Sequence, residues 1–280
     1  MISLIELKSI YQNELSDLYS KNEIKSIVNL LIEFEFNKKP IFLNQNSPLS
    51  DIKFKKILLY LKKLELGHPV NYIIGHKSFY DLKIKVNNNV LIPRGETEEL
   101  VHWVLQYIKP SYNILDLCTG SGCISVALAA KTPTSKIIAL DISKKAINLA
   151  IENAKLNNVS ISFLCLDILN DNLDFLNKQN IIVSNPPYVL NSQKKIMHKN
   201  VLHFEPHLAL FVDDDNPLIF YKKIINISKK KLFRNGFLFL EINDLFSVEI
   251  KDLLKLNGFK NVTIKNDIHG KPRLVKAQLL

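Results

Sequence analysis

Cysteine is scarce in this sequence, and long apolar runs are absent. The three cysteines of the 280 residues stand at positions 118, 123 and 165, and none forms a Cys-x2-Cys pair. This argues against a disulfide framework and against a zinc site. No run approaches the roughly 18 apolar residues that a membrane helix needs. Charged residues interrupt the first eight positions, unlike a secretory leader. We therefore expect a cytoplasmic protein with free thiols, no bound metal and no membrane contact.

Acidic side chains are fewer than basic ones. The chain has 27 Asp and Glu against 37 Lys and Arg, a formal net charge of +10. Such a surface can attract nucleic acid or an acidic protein. The sequence is, however, rich in lysine, asparagine and isoleucine together, a bias that an AT-rich genome produces. We attribute the charge to this bias and do not expect direct binding to nucleic acid.

The most informative segment is Asn185-Pro186-Pro187-Tyr188. It follows an apolar run at 181–184 that predicts a buried strand. Two prolines end a strand because neither donates a ladder hydrogen bond. The segment therefore lies at the carboxyl end of the strand, where open α/β sheets bind ligands. Asn185 offers amide donors and an acceptor, and Tyr188 offers a flat face, a set that suits an amide or an exocyclic base amine. Asn-Pro is also a common turn, so the segment alone does not decide.

A second loop lacks one glycine of the dinucleotide fingerprint. It joins a predicted strand at 114–117 to a predicted helix at 124–130, and it contains Gly120 and Gly122 without a third glycine. Asp116 stands just before the loop, where it would repel a pyrophosphate but suit the ammonium of an amino acid. The loop therefore favours S-adenosylmethionine over NAD.

Two more carboxylates end predicted strands. Asp141 follows the apolar run 137–140, and a carboxylate there suits a ribose diol. Asp167 follows the run 161–166 and suits an adenine amine. These positions complete the pattern of a nucleoside-binding half.

With these motifs the chain resembles the HemK/PrmC family, the protein-(glutamine-N5) methyltransferases that act on peptide chain release factors. The resemblance covers nearly the whole length and includes residues 92–98 (Ile-Pro-Arg-Gly-Glu-Thr-Glu) and Phe204-Glu205-Pro206. The Asn-Pro-Pro-Tyr segment is shared with adenine-N6 DNA and RNA methyltransferases. The other two segments are more specific to the glutamine enzymes.

The resemblance implies methyl transfer from S-adenosylmethionine to the glutamine amide of the Gly-Gly-Gln motif in class I release factors. It implies that Asn185 touches both the cofactor region and the substrate glutamine, with Pro186, Pro187 and Tyr188 completing the catalytic cradle. The cofactor-binding positions that it implies are Asp116, Cys118, Thr119, Gly120, Ser121, Gly122, Asp141, Asp167, Ile168 and Asn185.

Three positions depart from the family pattern. Gly95 stands where proline is usual, which should loosen the loop at Arg94. Cys118 stands where glycine is usual, so its backbone needs a negative φ or some strain. Ile168 stands where an aromatic residue is common, which should weaken stacking on adenine.

The predicted organisation has three parts. Residues 1–77 read as a small helical domain, which the resemblance makes the substrate-recognition domain, and Ser47-Pro48 predicts a helix start there. Residues 78–93 alternate like a β-hairpin with its turn at Asn87-Asn88-Asn89. Residues 94–280 alternate strands with helices, an α/β pattern. The resemblance implies a Rossmann-like methyltransferase domain with a seven-stranded, mostly parallel sheet.

Two other functions stay open at this point. An adenine-N6 nucleic-acid methyltransferase shares the Asn-Pro-Pro-Tyr segment, but the domain that would bind a flipped base and its flanking phosphates is hard to find. A release-factor-binding module without catalysis is the other alternative, against which the intact motifs speak. We expect the protein to be a monomer.

Overall fold

The computed structural model describes residues 2–46 and 49–280. They form two compact units. The first extends to Gly75 and includes His198–Phe204, and the second comprises His76–Met197 and Glu205–Leu280. The return of residues 198–204 to the first unit was not predicted, because it rests on contacts distant in sequence. The rings of His68 and Phe204, for example, have centroids 4.2 Å apart.

The first unit is helical. Its helices up to Gly75 are α1 (Leu4–Leu15), α2 (Lys21–Phe36), α3 (Asp51–Glu65) and α4 (Val70–Ile74). Ser3 and Ser20 start α1 and α2 with capping boxes, in which side chains satisfy the first free backbone N–H groups. Ser50 occupies the N-cap position of α3, whereas the predicted helix start at Ser47-Pro48 lies outside the described residues. The buried hydroxyl of Tyr11 donates to the carbonyl of Ile57 at 2.6 Å and ties α1 to α3.

The second unit begins with a β-hairpin of β1 (His76–Phe79) and β2 (Leu82–Lys85). The predicted position of the hairpin is wrong, because the chain reverses at Tyr80 and Asp81, whose φ angles are 50° and 63°. Two such residues make the tight turn that suits strand twist, but tyrosine there gives no sequence signal. Asn87 does accept a turn hydrogen bond from Val90, yet residues 90–92 form no strand.

A seven-stranded sheet forms the core of this unit, as predicted. In chain order the further strands are β3 (Asn113–Leu117), β4 (Lys136–Asp141), β5 (Ser162–Cys165), β6 (Gln179–Ser184), the short β7 (Val189–Leu190) and β8 (Phe211–Val212), β9 (Leu232–Glu241), β10 (Phe259–Asn266) and β11 (Pro272–Leu279). The sheet order is β10-β11-β9-β6-β3-β4-β5. Two of its pairs, β10 with β11 and β11 with β9, are antiparallel, and the other four are parallel. β7 and β8 pair separately.

Helices cover both faces of the sheet. They are α5 (Gly95–Leu105), α6 (Cys123–Lys131), α7 (Lys144–Leu156), α9 (Ile219–Lys231) and α10 (Ser247–Leu256), while α8 (Lys199–Phe204) belongs to the first unit. On one face the ring of Phe239 meets Trp103 of α5 edge to face. Its neighbours Leu238 and Leu240 point to the other face, into a core shared with α9 and α10. This alternation follows from the two-residue period of a strand.

The strand β10 was missed in the sequence. It is an edge strand whose exposed side chains include Lys260 and Lys265, and irregular pairing interrupts its register with β11. Charges and irregularities of this kind protect a sheet edge from pairing with other chains, and they also remove the apolar alternation. Within the described residues, no helix is both long and apolar enough to cross a bilayer.

Candidate functional site

A cavity of about 290 Å³ opens at the carboxyl ends of the parallel strands in the second unit. Its walls come from the residues that follow β3, β4, β5 and β6, together with the segment that enters α5. Most of the predicted cofactor-binding residues line it, namely Cys118, Thr119, Gly120, Ser121, Asp141, Asp167, Ile168 and Asn185. The parallel sheet thus brings together residues that are far apart in the chain.

The loop after β3 depends on its two glycines. Gly120 and Gly122 have φ angles of 56° and 78°, in the left-handed region that side chains disfavour. A Cβ atom on Gly122 would lie 2.9 Å from the Cβ of Ala150, so this glycine also permits α7 to pack closely. The amide of Thr119 donates to the carbonyl of Leu140 at 2.8 Å and anchors the loop to β4.

Cys118 adopts the strained alternative that the sequence left open. Its φ angle is 61°, although it carries a side chain. Burial raises the pKa of its thiol far above the ordinary value, and the nearby Asp141 and Asp116 raise it further. The thiol therefore stays protonated at neutral pH and has none of the activation of a nucleophilic cysteine.

Asp116 is fully buried beneath the loop and is not part of the cavity lining. One carboxyl oxygen accepts a hydrogen bond from the hydroxyl of Thr119 at 2.6 Å. The other oxygen has no partner within the part of the chain that the structure describes. Burial raises the pKa of this carboxyl to about 7, against which the hydroxyls of Thr119 and Ser125 act. Asp116 thus supports the loop from below, and its contact with an ammonium group stays a prediction.

Asp141 lies on the cavity wall and bridges two loops. Its carboxylate accepts hydrogen bonds from the amide of Gly120 at 2.8 Å and from the amide of Ser143 at 2.9 Å. Burial raises its pKa, whereas these two hydrogen bonds lower it. Each oxygen keeps further acceptor capacity, so the residue can take hydroxyl donors while it orders the glycine loop.

Asp167 and Ile168 form the wall after β5. The side chain of Asp167 accepts from the amide of Leu169 at 2.9 Å and from the side-chain amide of Asn170 at 2.6 Å. Ile168 is buried and presents an apolar surface to the cavity. The pair thus offers a polar edge beside an apolar face, as a heteroaromatic ring requires.

The Asn-Pro-Pro-Tyr segment follows β6 at the cavity, and only some of its residues line the cavity. Asn185 and Pro187 line the cavity, whereas Pro186 and Tyr188 are not among its lining residues. The Nδ2 atom of Asn185 donates to the hydroxyl oxygen of Thr97 at 3.2 Å. Tyr188 turns its hydroxyl away to the carboxylate of Glu241, at 3.0 Å.

Glu241 and Thr97 were not assigned a role from the sequence. The hydroxyl of Thr97 donates to Oε2 of Glu241 at 2.7 Å, so one carboxylate holds both Thr97 and Tyr188. Both residues of this pair are only 2% exposed. Burial is the main cause that raises the pKa of Glu241, and the hydrogen bonds from Thr97 and Tyr188 oppose it. A sequence signal for a strand-end carboxylate existed, since Glu241 directly follows the apolar run 237–240.

A second buried carboxylate holds the segment that enters α5. Glu205, whose side chain is 1% exposed, accepts from the guanidinium of Arg94 at 2.5 Å and from the amide of Ile92 at 3.1 Å. The two segments that set the resemblance apart from the adenine-N6 enzymes are therefore joined in space.

Comparison with known proteins decides the family. A release factor glutamine methyltransferase from Flavobacterium psychrophilum is 41% identical over 94% of this chain and 94% of its own length. The chain belongs to the release factor glutamine methyltransferase family. A second member, from Bacteroides thetaiotaomicron, is 33% identical over 95% of this chain and 96% of its own length. The methyltransferase small domain model matches residues 97–209.

Solved structures agree on the fold. A methyltransferase from Pyrococcus furiosus superposes with a TM-score of 0.53 at 15% identity, covering 82% of this chain and 98% of its own. At this identity the likeness concerns the fold alone. It supports the Rossmann-like methyltransferase architecture that the sequence predicted.

The three departures from the family pattern have clear positions in the structure. Gly95 is the first residue of α5 and has open space around its Cα. Cys118 is the strained loop residue, and Ile168 is the buried cavity wall after β5. Cys118 and Ile168 both line the cavity.

Proposed function

We propose that this protein transfers a methyl group from S-adenosylmethionine to the side-chain nitrogen of the glutamine in the Gly-Gly-Gln motif of class I release factors. The observation that carries the proposal is the match to a release factor glutamine methyltransferase over 94% of both chains. The cavity supports it, because Asn185 lines the cavity after β6, the strand next to β3 and its glycine loop, and offers amide chemistry to an amide substrate.

The residues of the cavity fit the methyl donor. Asp141 takes the ribose hydroxyls, and Asp167 with Ile168 takes the adenine edge and face. The glycine loop passes the methionine part without a Cβ in the way. Asp116 has a buried oxygen without a partner among the described residues and does not line the cavity, so we assign it the support of the loop rather than direct contact with the ammonium. When bound, S-adenosylmethionine supplies a methyl group already activated by its sulfonium.

The task left to the chain's own residues is alignment. An amide nitrogen is a poor nucleophile because its lone pair is delocalised into the carbonyl. Holding it in line with the methyl group contributes up to roughly 7–11 kcal/mol relative to free reactants. The Oδ1 atom of Asn185 accepts one N–H group of the glutamine. We assign the other N–H group to the backbone carbonyl of Pro186, although Pro186 is not itself a lining residue of the cavity. Pro187 and Tyr188 fix the path of this segment.

The helical unit, residues 1–77 of the prediction, has the role of recognising the release factor. It exposes large apolar side chains, with Ile41 83% and Phe42 77% exposed. Two adjacent exposed apolar side chains can belong to a surface that binds a partner. Phe42→Ser should raise the KM for release factor and leave donor affinity unchanged. A raised Kd for the donor, or an unchanged KM, would argue against this role.

We also propose that the enzyme is a cytoplasmic monomer that does not bind nucleic acid.

A labelling experiment tests the proposal. The protein is incubated with methyl-labelled S-adenosylmethionine and with release factor, with release factor whose Gly-Gly-Gln glutamine is replaced by alanine, or with DNA. We expect label only on the unaltered release factor. Label on DNA would favour the adenine-N6 alternative, and donor binding without label on any substrate would favour a module without catalysis.

A further inference from the structure

The orientation of the Asn185 amide decides what it offers to a ligand. A side-chain amide has a donor end and an acceptor end of nearly equal shape, and its hydrogen-bond partners determine which end points where. In this protein the Nδ2 end is bonded to the hydroxyl oxygen of Thr97 at 3.2 Å. A rotation of the amide by half a turn would exchange Nδ2 and Oδ1, so a further contact must fix its orientation.

The hydrogen bond between Thr97 and Glu241 fixes this orientation. A threonine hydroxyl has a single proton, and that of Thr97 is donated to Oε2 of Glu241 at 2.7 Å. The second oxygen of Glu241 accepts from the hydroxyl of Tyr188 at 3.0 Å. An ionised carboxylate only accepts hydrogen bonds, so two hydroxyl donors match it. With its proton committed, the Thr97 oxygen can only accept, and Asn185 must present Nδ2 to it.

We infer that Thr97 and Glu241 are positioning residues that fix the Asn185 amide with its oxygen free for an N–H group of the acceptor. This inference rests on the proposed function, since an amide nitrogen acceptor needs an oxygen there. It also explains why a carboxylate is buried at the end of β9. Glu241 accepts the proton of the Thr97 hydroxyl, which in turn accepts from the Asn185 amide, and it also accepts the proton of the Tyr188 hydroxyl.

The network joins three separate elements. Thr97 belongs to α5, Asn185 follows β6, and Glu241 ends β9. Thr97 is also part of the cavity wall, whereas Glu241 is not. Glu241 can therefore act on the acceptor only through its partners. Loss of this support should affect the alignment of the acceptor and leave the donor contacts at Asp141 in place.

Three variants of the full-length protein test the inference. Thr97→Val keeps the shape and removes the hydroxyl, Glu241→Gln replaces one acceptor by a donor, and Thr97→Ser restores the hydroxyl. We expect the first two to lower kcat by about 10- to 100-fold, the scale of a misaligned reacting group. KM for release factor and Kd for S-adenosylmethionine should change less than about threefold, and Thr97→Ser should keep kcat within about threefold.

Two controls separate positioning from general damage. Thr263→Val makes the same chemical change at an exposed residue of β10 and should leave kcat unchanged. The double variant Thr97→Val/Glu241→Gln should lose no more than the worse single variant, because both act through one chain of hydrogen bonds. Full kcat in Thr97→Val, or failure of Thr97→Ser to retain it, would overturn the inference.

A spectroscopic readout keeps the test independent of turnover. The side-chain amide protons of Asn185, assigned with Asn185→Ala, are followed by ¹⁵N NMR. One proton should exchange slowly with solvent in the wild type, and this protection should be lost in Thr97→Val and regained in Thr97→Ser. Equal exchange in all three proteins would overturn the network. If the wild type transfers no label to release factor, the proposed function fails, and the exchange result still decides whether the amide is fixed.

Discussion

Each side of the cavity is stabilised by its own hydrogen bonds, and the two sets differ in how far apart in the sequence the bonded residues lie. On the donor side, defined as the loop 116–122 with Asp141, most hydrogen bonds join residues that are close along the chain. Thr119 bonds Asp116 three positions away, and Gly120 bonds Asp141 across 21 positions. The longest contact of this side is the bond from the hydroxyl of Ser184 to the carbonyl of Leu117, across 67 positions.

On the acceptor side, defined as Thr97, Asn185, Tyr188 and Glu241, the contacts span the whole second unit. Asn185 bonds Thr97 across 88 positions, and Thr97 bonds Glu241 across 144. These hydrogen bonds form only when α5, β6 and β9 are all packed together in the folded unit. The donor side should therefore tolerate changes elsewhere, whereas the acceptor side should depend on the packing of distant elements.

A large effect on stability is expected at the buried pair of Glu205 and Arg94, which is also a long-range contact. Glu205→Ala removes the partner of a guanidinium and of the amide of Ile92. Breaking a buried ion pair costs about 3–5 kcal/mol, and the partial exposure of Arg94 places this one near the lower value. Urea unfolding measures it. A loss below about 1 kcal/mol would mean that the pair behaves as an exposed salt bridge.

A change in pH should test the burial of Asp116 on the donor side. The folded protein holds this pKa at about 7, above the ordinary value of 3.8. Between these two values the unfolded chain releases the proton first, so the free energy of unfolding decreases as pH rises. The difference corresponds to about 4 kcal/mol. Asp116→Asn should lack this part of the decrease in urea unfolding at pH 4 and pH 8. Parallel profiles for both proteins would show that Asp116 is not buried in this way.

Asn185 should separate turnover from donor binding. Asn185→Ala is expected to lower the single-turnover rate on release factor by about 100-fold at saturating donor, because one orienting contact is lost. Asn185→Asp keeps the shape but cannot donate to Thr97, so it should lose most activity as well. The melting temperature should barely change, since the residue lies on a loop at the sheet edge. Wild-type rates for both variants would reduce Asn185 to a turn residue.

Asp141 should show the opposite behaviour. Asp141→Ala removes the ribose acceptor and the bond to Gly120, and it should weaken donor binding by about 1.5–3 kcal/mol, the scale of a charge-assisted hydrogen bond. Calorimetry of S-adenosylmethionine binding is the measurement. Unchanged affinity would remove Asp141 from the donor site.

The smallest expected effect is at the start of α5. Gly95 is the first helical residue, and Arg94 before it has φ −102° and ψ 156°, which a following proline accepts. Gly95→Pro should raise the free energy of unfolding by about 0.4–1 kcal/mol, because it restricts the unfolded chain. A decrease in stability would show that the amide of Gly95 has a partner that proline removes.

The contrast between the two sides also explains what the sequence could predict. The strand-end carboxylates and the glycine loop lie within short segments, so local patterns indicate them. The hydroxyl of Thr97 meets Glu241 only in the folded sheet, and neither residue carries a local signal of that contact. The turn at Tyr80 and Asp81 was missed for another reason, since a tyrosine with positive φ breaks the usual turn composition. The charged edge strand β10 lacks the alternation that marks the inner strands.

The most direct test compares one donor-side variant and one acceptor-side variant by the same two measurements. The donor Kd and the single-turnover rate at saturating donor are measured for the wild type, Asp141→Ala and Asn185→Ala with a release factor that carries Gly-Gly-Gln. We expect Asp141→Ala to weaken donor binding and to keep most of the rate once donor saturates. We expect Asn185→Ala to bind donor like the wild type and to lose about 100-fold in rate. If both variants lose affinity and rate in the same proportion, the cavity has no separate donor and acceptor sides.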